Sequence, residues 1–397
     1  IRDSSSESST LQLVKEAFLN SPSETEIKWY DLNQSILKNI KTTYRDVHLA
    51  TRTNPFQALA IAQKIIEHIK SKKPLSLLRL GDGEGHFLKY SPQLAEFQEA
   101  DKASSQQIWW GKAKLNPHNE WPVVRAFQES LDNADIIGIG EEWRLFAFMK
   151  ANEFPYASNH RGTLAANRWI EKKASEWADN KTLTSCFIQH DLDNWGLYDL
   201  IFSHIDSCSV ITCHENIGEC LKKRFCVDTR KVYPIPTEFK YHAQMGLESP
   251  KSHYPEVYDE ICKTIEVAYP GELFLVAAGF LGKIYCDIIK QKGGIALDIG
   301  SRADYWLSHE TRAVAPGVSD TNQLSLFYGW LDSTSALETF YKKLSYTRHS
   351  EGRMTEESPA TAQVTPLSQG ILRSPPADDR PALPQNDGTA GKKVIHY

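Results

Sequence analysis

The feature that most constrains this chain is a repeated alternation of short apolar runs with amphipathic stretches, clearest over Leu273–Ile299. Leu273–Ala278 reads as a strand, Gly282–Lys292 as a helix and Ile295–Ile299 as a second strand, which together make one βαβ unit. The same pattern recurs upstream. Helix Ala58–Ile69 leads into strand Leu75–Leu80, and Ala134–Ile139 forms a strand ahead of helix Leu164–Trp177. Strand Leu183–Gln189 closes at His190–Asp191, strand Cys208–Cys213 precedes helix Ile217–Arg224, and Lys231–Ile235 is a further strand. Strands that are apolar on both sides must be covered on both sides. The expectation is an α/β fold: a Rossmann-like, mostly parallel sheet with helices on both faces. In such sheets ligands lie beyond the carboxyl ends of the strands, where the Asp82 turn, His190–Asp191 and Asp298 should all emerge.

The first of those strand ends carries the strongest chemical signal, LLRLGDGEGHFL over Leu77–Leu88. Gly81, Gly83 and Gly85 would let the backbone take positive φ and come close to a ligand. Asp82 and Glu84 stand two apart, so in an extended turn both lean to one side. Converging carboxylates repel a bare phosphate, whereas a divalent cation between them turns the pair into a phosphate site. A surface turn whose acids cap the next helix is the alternative. A dinucleotide fingerprint is not, because His86 stands where G-x-G-x-x-G needs its third glycine.

Other candidates follow later strands. Gly279 and Gly282, with Lys283, sit at a strand-to-helix turn, where helix N–H groups and a lysine suit an anion; tight helix–sheet packing explains the glycines equally well. Asp298, Ser301 and Asp304 follow the last strand, where Asp298 could meet a sugar hydroxyl or a metal-bound water and Asp304 could form a polar wall. His190, Asp191 and Asp193 offer acid–base or metal-binding groups, or a helix cap. The Pro-shaped segment Tyr233–His242 carries Glu238, Lys240, Tyr241 and His242, and Arg161 could bind a phosphate or form a plain ion pair.

Composition narrows the field. A net charge of -5 implies no general affinity for polyanions, so nucleic acid is not an expected partner. The seven cysteines form no C-x-x-C pair, which argues against zinc ribbons and dithiol redox motifs and points to reduced thiols in a cytoplasm. No apolar run is long enough to cross a bilayer.

RLGDGE (Arg79–Glu84), followed in order by GKIYCDIIKQKGGIALDIGS (Gly282–Ser301), resembles the GT-D glycosyltransferases, formerly a domain of unknown function. The resemblance spans approximately Pro55 to Ala315. It implies transfer of a sugar from a nucleotide sugar, typically a UDP-sugar, with Mn2+ or Mg2+ held by Asp82 and Glu84 against the diphosphate. Arg79, Gly81, Gly83, Gly279, Gly282, Lys283, His190 and Ser301 are then expected around donor and metal, with Asp82, Glu84, Asp298 and Asp191 in catalysis. The family's strand often ends DIGH; Ser301 takes that His position, and His190 could take over the role. A glycan-binding or scaffolding module and an NAD- or S-adenosylmethionine-dependent Rossmann enzyme are the alternatives.

The expected organisation is a helical N-terminal arm over 1–53, the GT-D-like domain over 54–315 and a helical extension over 316–348. A Pro/Ser/Asp/Gly-rich disordered linker over 349–391 follows. The closing KKVIHY, 392–397, is similar to the opening strand of many GT-B glycosyltransferases. The whole reads as one segment of a larger multidomain enzyme building bacterial surface polysaccharide or glycoconjugate. It would be cytoplasmic, with placement at the inner face of the membrane through partners as a further expectation. Its acceptor would be a glycan, lipid-linked in some cases, and its partner a neighbouring glycosyltransferase domain.

Overall fold

The computed structural model describes residues 35–40, 55–112, 115–140, 158–177, 180–247 and 249–309. All of them belong to the unit Ile1–Thr347. The expected boundaries at 315, 348 and 391, the linker and the KKVIHY segment lie outside the described residues.

Seven strands form one parallel sheet: β1 (Leu75–Arg79), β2 (Ile136–Ile139), β3 (Thr182–Ser185), β4 (Ser207–Thr212), β5 (Asp228–Pro234), β6 (Leu273–Val276) and β7 (Ile295–Asp298). Their order is β3-β2-β1-β7-β6-β4-β5, and every pairing is parallel. The α/β expectation holds. Strand alternation sorts the core into two faces. On β1, Leu78 joins the first face, as does Leu80 just after the strand, while Leu75 and Leu77 join the second.

The first face is covered by α4 (Pro117–Asn133), α5 (Ser158–Trp177) and α11 (Gly279–Gln291). The second is covered by α1 (Pro55–Ser71), α6 (Ile188–Asn194), α7 (Leu197–Phe202), α8 (Ile217–Phe225) and α12 (Arg302–Trp306). Each helix presents an apolar stripe to the sheet, such as Leu59, Ala62, Ile65 and Ile66 of α1, all buried. Burying one such side chain contributes about 1.5–3 kcal/mol. Residues 35–40 are helical as well, and Ile36, Leu37 and Ile40 are buried in the first-face core.

Three local expectations change. The strand read over Leu183–Gln189 stops at Ser185, and Ile188–Asn194 is helical, so His190 and Asp191 lie on α6 instead of a loop. The helix read from Gly282 starts at Gly279, so both glycines belong to α11. The acidic turn is itself a short helix, α2 (Asp82–Gly85), with Gly81 at its N-cap.

The connections place a crevice. After β1 the chain passes to the first face, where Phe87 and Leu88 are buried. After β7 it passes to the second, where Ile299 and Ala303 are buried. β1 and β7 are neighbours, so the outgoing chains part between them, and this is the topological switch point of the sheet.

Candidate functional site

Four charged side chains meet at that switch point. Arg79, the last residue of β1, reaches across to Asp298, the last of β7: its Nη2 donates to Asp298 Oδ1 at 3.0 Å and its Nε to the Asp298 carbonyl at 3.0 Å. Its Nη1 donates to the Cys186 carbonyl at 3.3 Å, tying in the end of β3. Lys283, from the first turns of α11, places its ammonium 3.0 Å from Asp298 Oδ2 and 2.7 Å from Glu84 Oε1. The third ammonium proton goes to the Gly279 carbonyl at 3.1 Å. The charges therefore alternate Arg79, Asp298, Lys283, Glu84, and they cancel.

Burial makes this network strong and demanding. Burial alone would raise the Asp298 carboxyl, but the cations of Arg79 and Lys283 outweigh it and hold the group below the usual carboxylate range. Burial would likewise strip Lys283 of its proton. The carboxylates of Asp298 and Glu84 overcome that and raise the ammonium above its ordinary value. Asp298 is also saturated, because Oδ1 accepts from Arg79 Nη2 and Gly300 N while Oδ2 accepts from Arg79 N and Lys283 Nζ. A carboxylate offers about four acceptor positions, and here all are taken. Asp298, expected to face a sugar hydroxyl or a metal-bound water, is instead the anchor of the floor.

The acidic turn departs from expectation in a related way. In a helical turn, residues two apart point to different sides, so Asp82 and Glu84 do not lean together. Glu84 turns inward, its Oε2 accepting from Gly81 N at 3.0 Å and its Oε1 facing Lys283. Asp82 is half-buried in the first turn of the same short helix. The glycines serve close packing, and none of Gly81, Gly83 and Gly85 is among the positive-φ residues. A Cβ on Gly85 would overlap the carbonyl of Gly162 on α5, and one on Gly162 would overlap the carbonyl of Asp82. A Cβ on Gly83 would fall 2.6 Å from the Trp109 ring. His86 completes the lock, with Nδ1 2.6 Å from Ser105 Oγ and Nε2 3.0 Å from the Ser158 carbonyl.

The remaining candidates sort by exposure. Lys283 is 2% exposed and faces carboxylates, not an incoming anion. Gly282 fills the packing role, since a Cβ there would stand 3.2 Å from Val276 Cγ1. Gly279 adopts φ +55, and Glu238 Oε1 lies 3.3 Å from where its Cβ would be. Glu238 is thus brought to the front of α11 from the segment after β5. Asp191 is buried on α6. His190 Nδ1 is 2.7 Å from Arg302 Nη1, so it comes beside Ser301, the N-cap of α12. Arg302 also donates to Asp193 through Nε at 2.6 Å and through Nη2. Arg161 is committed to a buried bidentate pair with Asp101, both bonds 2.7 Å, and is no phosphate ligand here. Sequence reading missed Arg302, although its place directly after Ser301 in a strand-to-helix turn was a usable signal. It also missed Cys213–His214, a thiol and an imidazole side by side at the end of β4.

A divalent cation at this turn would take carboxylate oxygens. Glu84 fits poorly, because a cation on its outer face would stand near the Lys283 ammonium. Asp82, at the crevice and half-buried, fits one protein carboxylate of a cation that takes its other oxygens from phosphates and water.

The fold is similar to two solved structures of domain of unknown function 1792. One is a selenomethionine-substituted structure of that domain, and the other is described as showing that the domain "has a distinct glycosyltransferase fold". Each shares 16% identity with this chain, covers 72% of it and 92% of its own length, and superposes with a TM-score of 0.35. No family model and no curated protein matches the chain. Among the described residues no helix is long and apolar enough to cross a membrane.

Proposed function

We propose that this chain is a glycosyltransferase domain that takes a nucleotide sugar, with UDP as the expected nucleotide, into the crevice between β1 and β7. The observation that carries this reading is the acidic turn Asp82–Gly85 standing at the switch point of a parallel sheet, on a charge-neutral floor of Arg79, Asp298, Lys283 and Glu84. The ordered pair of motifs RLGDGE and DIGS supports it from the sequence side.

Asp82 would hold Mn2+ or Mg2+, and the ion would supply charge to offset the departing nucleoside diphosphate. Glu84 positions the turn and leaves the ligand to its neighbour. An acceptor hydroxyl needs a base it can reach. Asp298 and Asp191 are 1% and 2% exposed, whereas Glu238 is half-buried at the front of α11. Glu238 is therefore the base we assign. The glycan acceptor, the role in polysaccharide or glycoconjugate synthesis, the cytoplasmic site and the neighbouring transferase domain belong to the same proposal. A binding or scaffolding module is the second reading, favoured by the internal pairing of Glu84 and Asp298.

The test is thermal stability with UDP, Mn2+ and both together, for the wild type and Asp82→Asn. A ligand that binds only the folded chain at a hundredfold excess over Kd stabilises it by about 2.7 kcal/mol. Stabilisation by UDP that requires the metal and disappears in Asp82→Asn is the expected result. No response of the wild type to either ligand would overturn the nucleotide-sugar reading.

A further inference from the structure

A second group of chemically active side chains lies at the carboxyl end of β4. Cys213 and His214 follow that strand, and Asp304 reaches them from α12. One donor atom from each residue falls within 4.8 Å of the other two. Among the described residues this is the one group of three or more His, Cys, Asp and Glu donors so arranged. His214 Nε2 lies 2.8 Å from Asp304 Oδ1.

The surroundings hold the donors in place. His214 is buried, and its backbone N–H donates to Thr212 Oγ1 at 3.3 Å. The His309 ring lies parallel to it, centroids 5.2 Å apart and planes 9° from each other. The Asp304 carbonyl accepts from His309 N at 2.8 Å and Leu307 N at 3.1 Å, which wraps the chain around that residue. Cys213 and Asp304 are half-buried, so the group has an opening to solvent.

A hydrogen-bonded His–Asp pair would by itself be a clasp between β4 and α12. The adjacent thiol changes what the group can do. Sulfur, imidazole nitrogen and carboxylate oxygen are together a donor set for zinc-class ions, whereas magnesium and calcium take oxygens. Zn–S bonds near 2.3 Å and Zn–N and Zn–O bonds near 2.0–2.2 Å put tetrahedral donors about 3.3–3.8 Å apart, within the observed 4.8 Å limit. The His–Asp contact opens by about half an ångström to about one ångström as the ion replaces the proton between them.

We propose that Cys213 Sγ, His214 Nε2 and Asp304 Oδ1 form a three-ligand site for a zinc-class divalent cation, with the fourth position open to water. Loading the site releases the thiol proton and the proton shared by imidazole and carboxylate. The site is separate from the acidic turn and does not depend on the glycosyltransferase reading.

The experiment is a titration of the full chain with Co2+, which reports thiolate ligation as a charge-transfer absorption band. One equivalent should produce the band, and added Zn2+ should remove it. Cys213→Ser should abolish it and His214→Gln should weaken Co2+ binding at least tenfold, while Asp82→Asn leaves the band intact. Absence of a band, or a band that survives Cys213→Ser, overturns the site. If that variant fails to fold, Zn2+ protection of the wild-type thiol decides the matter. Alkylation at Cys213, located by peptide mass spectrometry, should slow at least tenfold with Zn2+ while exposed Cys226 is unaffected. An unchanged rate at Cys213 overturns the proposal.

Discussion

Lys283 Nζ stands 2.7 Å from Glu84 Oε1, and this contact fastens the acidic turn after β1 to the first turns of α11. The same ammonium reaches Asp298, so one buried cation joins three elements at the switch point. Removing it leaves two carboxylates without their shared partner. Lys283→Met should lower stability by about 3–5 kcal/mol. The pair Glu84→Leu with Lys283→Met should recover part of that loss, because Asp298 keeps Arg79. Urea unfolding at neutral pH measures both, and a Lys283→Met loss under about 1 kcal/mol would contradict the network.

The interlock of Gly85 with Gly162 predicts a steric result. Neither φ is in the left-handed region, so alanine is penalised by the opposing backbone and, at Gly162, also by the His86 ring, whose Cδ2 would lie 2.7 Å from the new Cβ. Gly85→Ala and Gly162→Ala should each destabilise by about 1–3 kcal/mol or more, because packed backbone gives way less readily than a side chain. Gly246→Ala is the control for a different cost: nothing lies within 4 Å, yet its φ of +63 strains any side chain. Thermal melts of the three variants would separate clash from strain. A Gly162→Ala protein as stable as the wild type would show that α2 and α5 are not in contact as described.

Asp82 and Glu84 should behave differently despite standing two apart. Asp82→Asn should remove the added stability from Mn2+ with UDP. Glu84→Gln should lower the ligand-free stability and retain part of the response, because Asp82 remains. Paired melts with and without ligand measure this. Equal loss of response in both variants would return Glu84 to the role of a direct ligand.

Buried His253 predicts acid sensitivity. Burial lowers its folded pKa to about 3 from an ordinary 6.5, and its Nε2 lies 2.9 Å from the Tyr285 hydroxyl. Burial also pushes the Tyr285 phenol well above its ordinary value, so the phenol keeps its proton beside the neutral ring. Below pH 6.5 the unfolded chain binds a proton that the folded chain refuses, so the contribution is complete above 6.5 and is lost as pH falls towards 3. The slope is about 1.4 kcal/mol per pH unit for this one group. His253→Gln keeps a polar partner for Tyr285 and cannot titrate, so its urea midpoint should fall less between pH 6.5 and pH 4. Parallel curves for the two proteins would remove His253 as a cause.

The sequence by itself determined the layered architecture, because apolar strands alternating with amphipathic helices have few ways to bury both. It also marked the ends of β1 and β7, through RLGDGE and DIGS, whose charged residues meet at the switch point. Helicity over Ile188–Asn194 was hidden because a short apolar run reads equally well as strand or helix until its neighbours choose. Only the tertiary structure decided how the charges are used. Residues 79, 84, 283 and 298 are far apart in the chain, and their low exposure obliges cations and carboxylates to neutralise one another. The same holds for Asp304, which becomes a partner of His214 only because α12 packs beside the end of β4. Spacing along a chain reports which side chains share a face; which ones share a proton is set by elements that meet across the sheet.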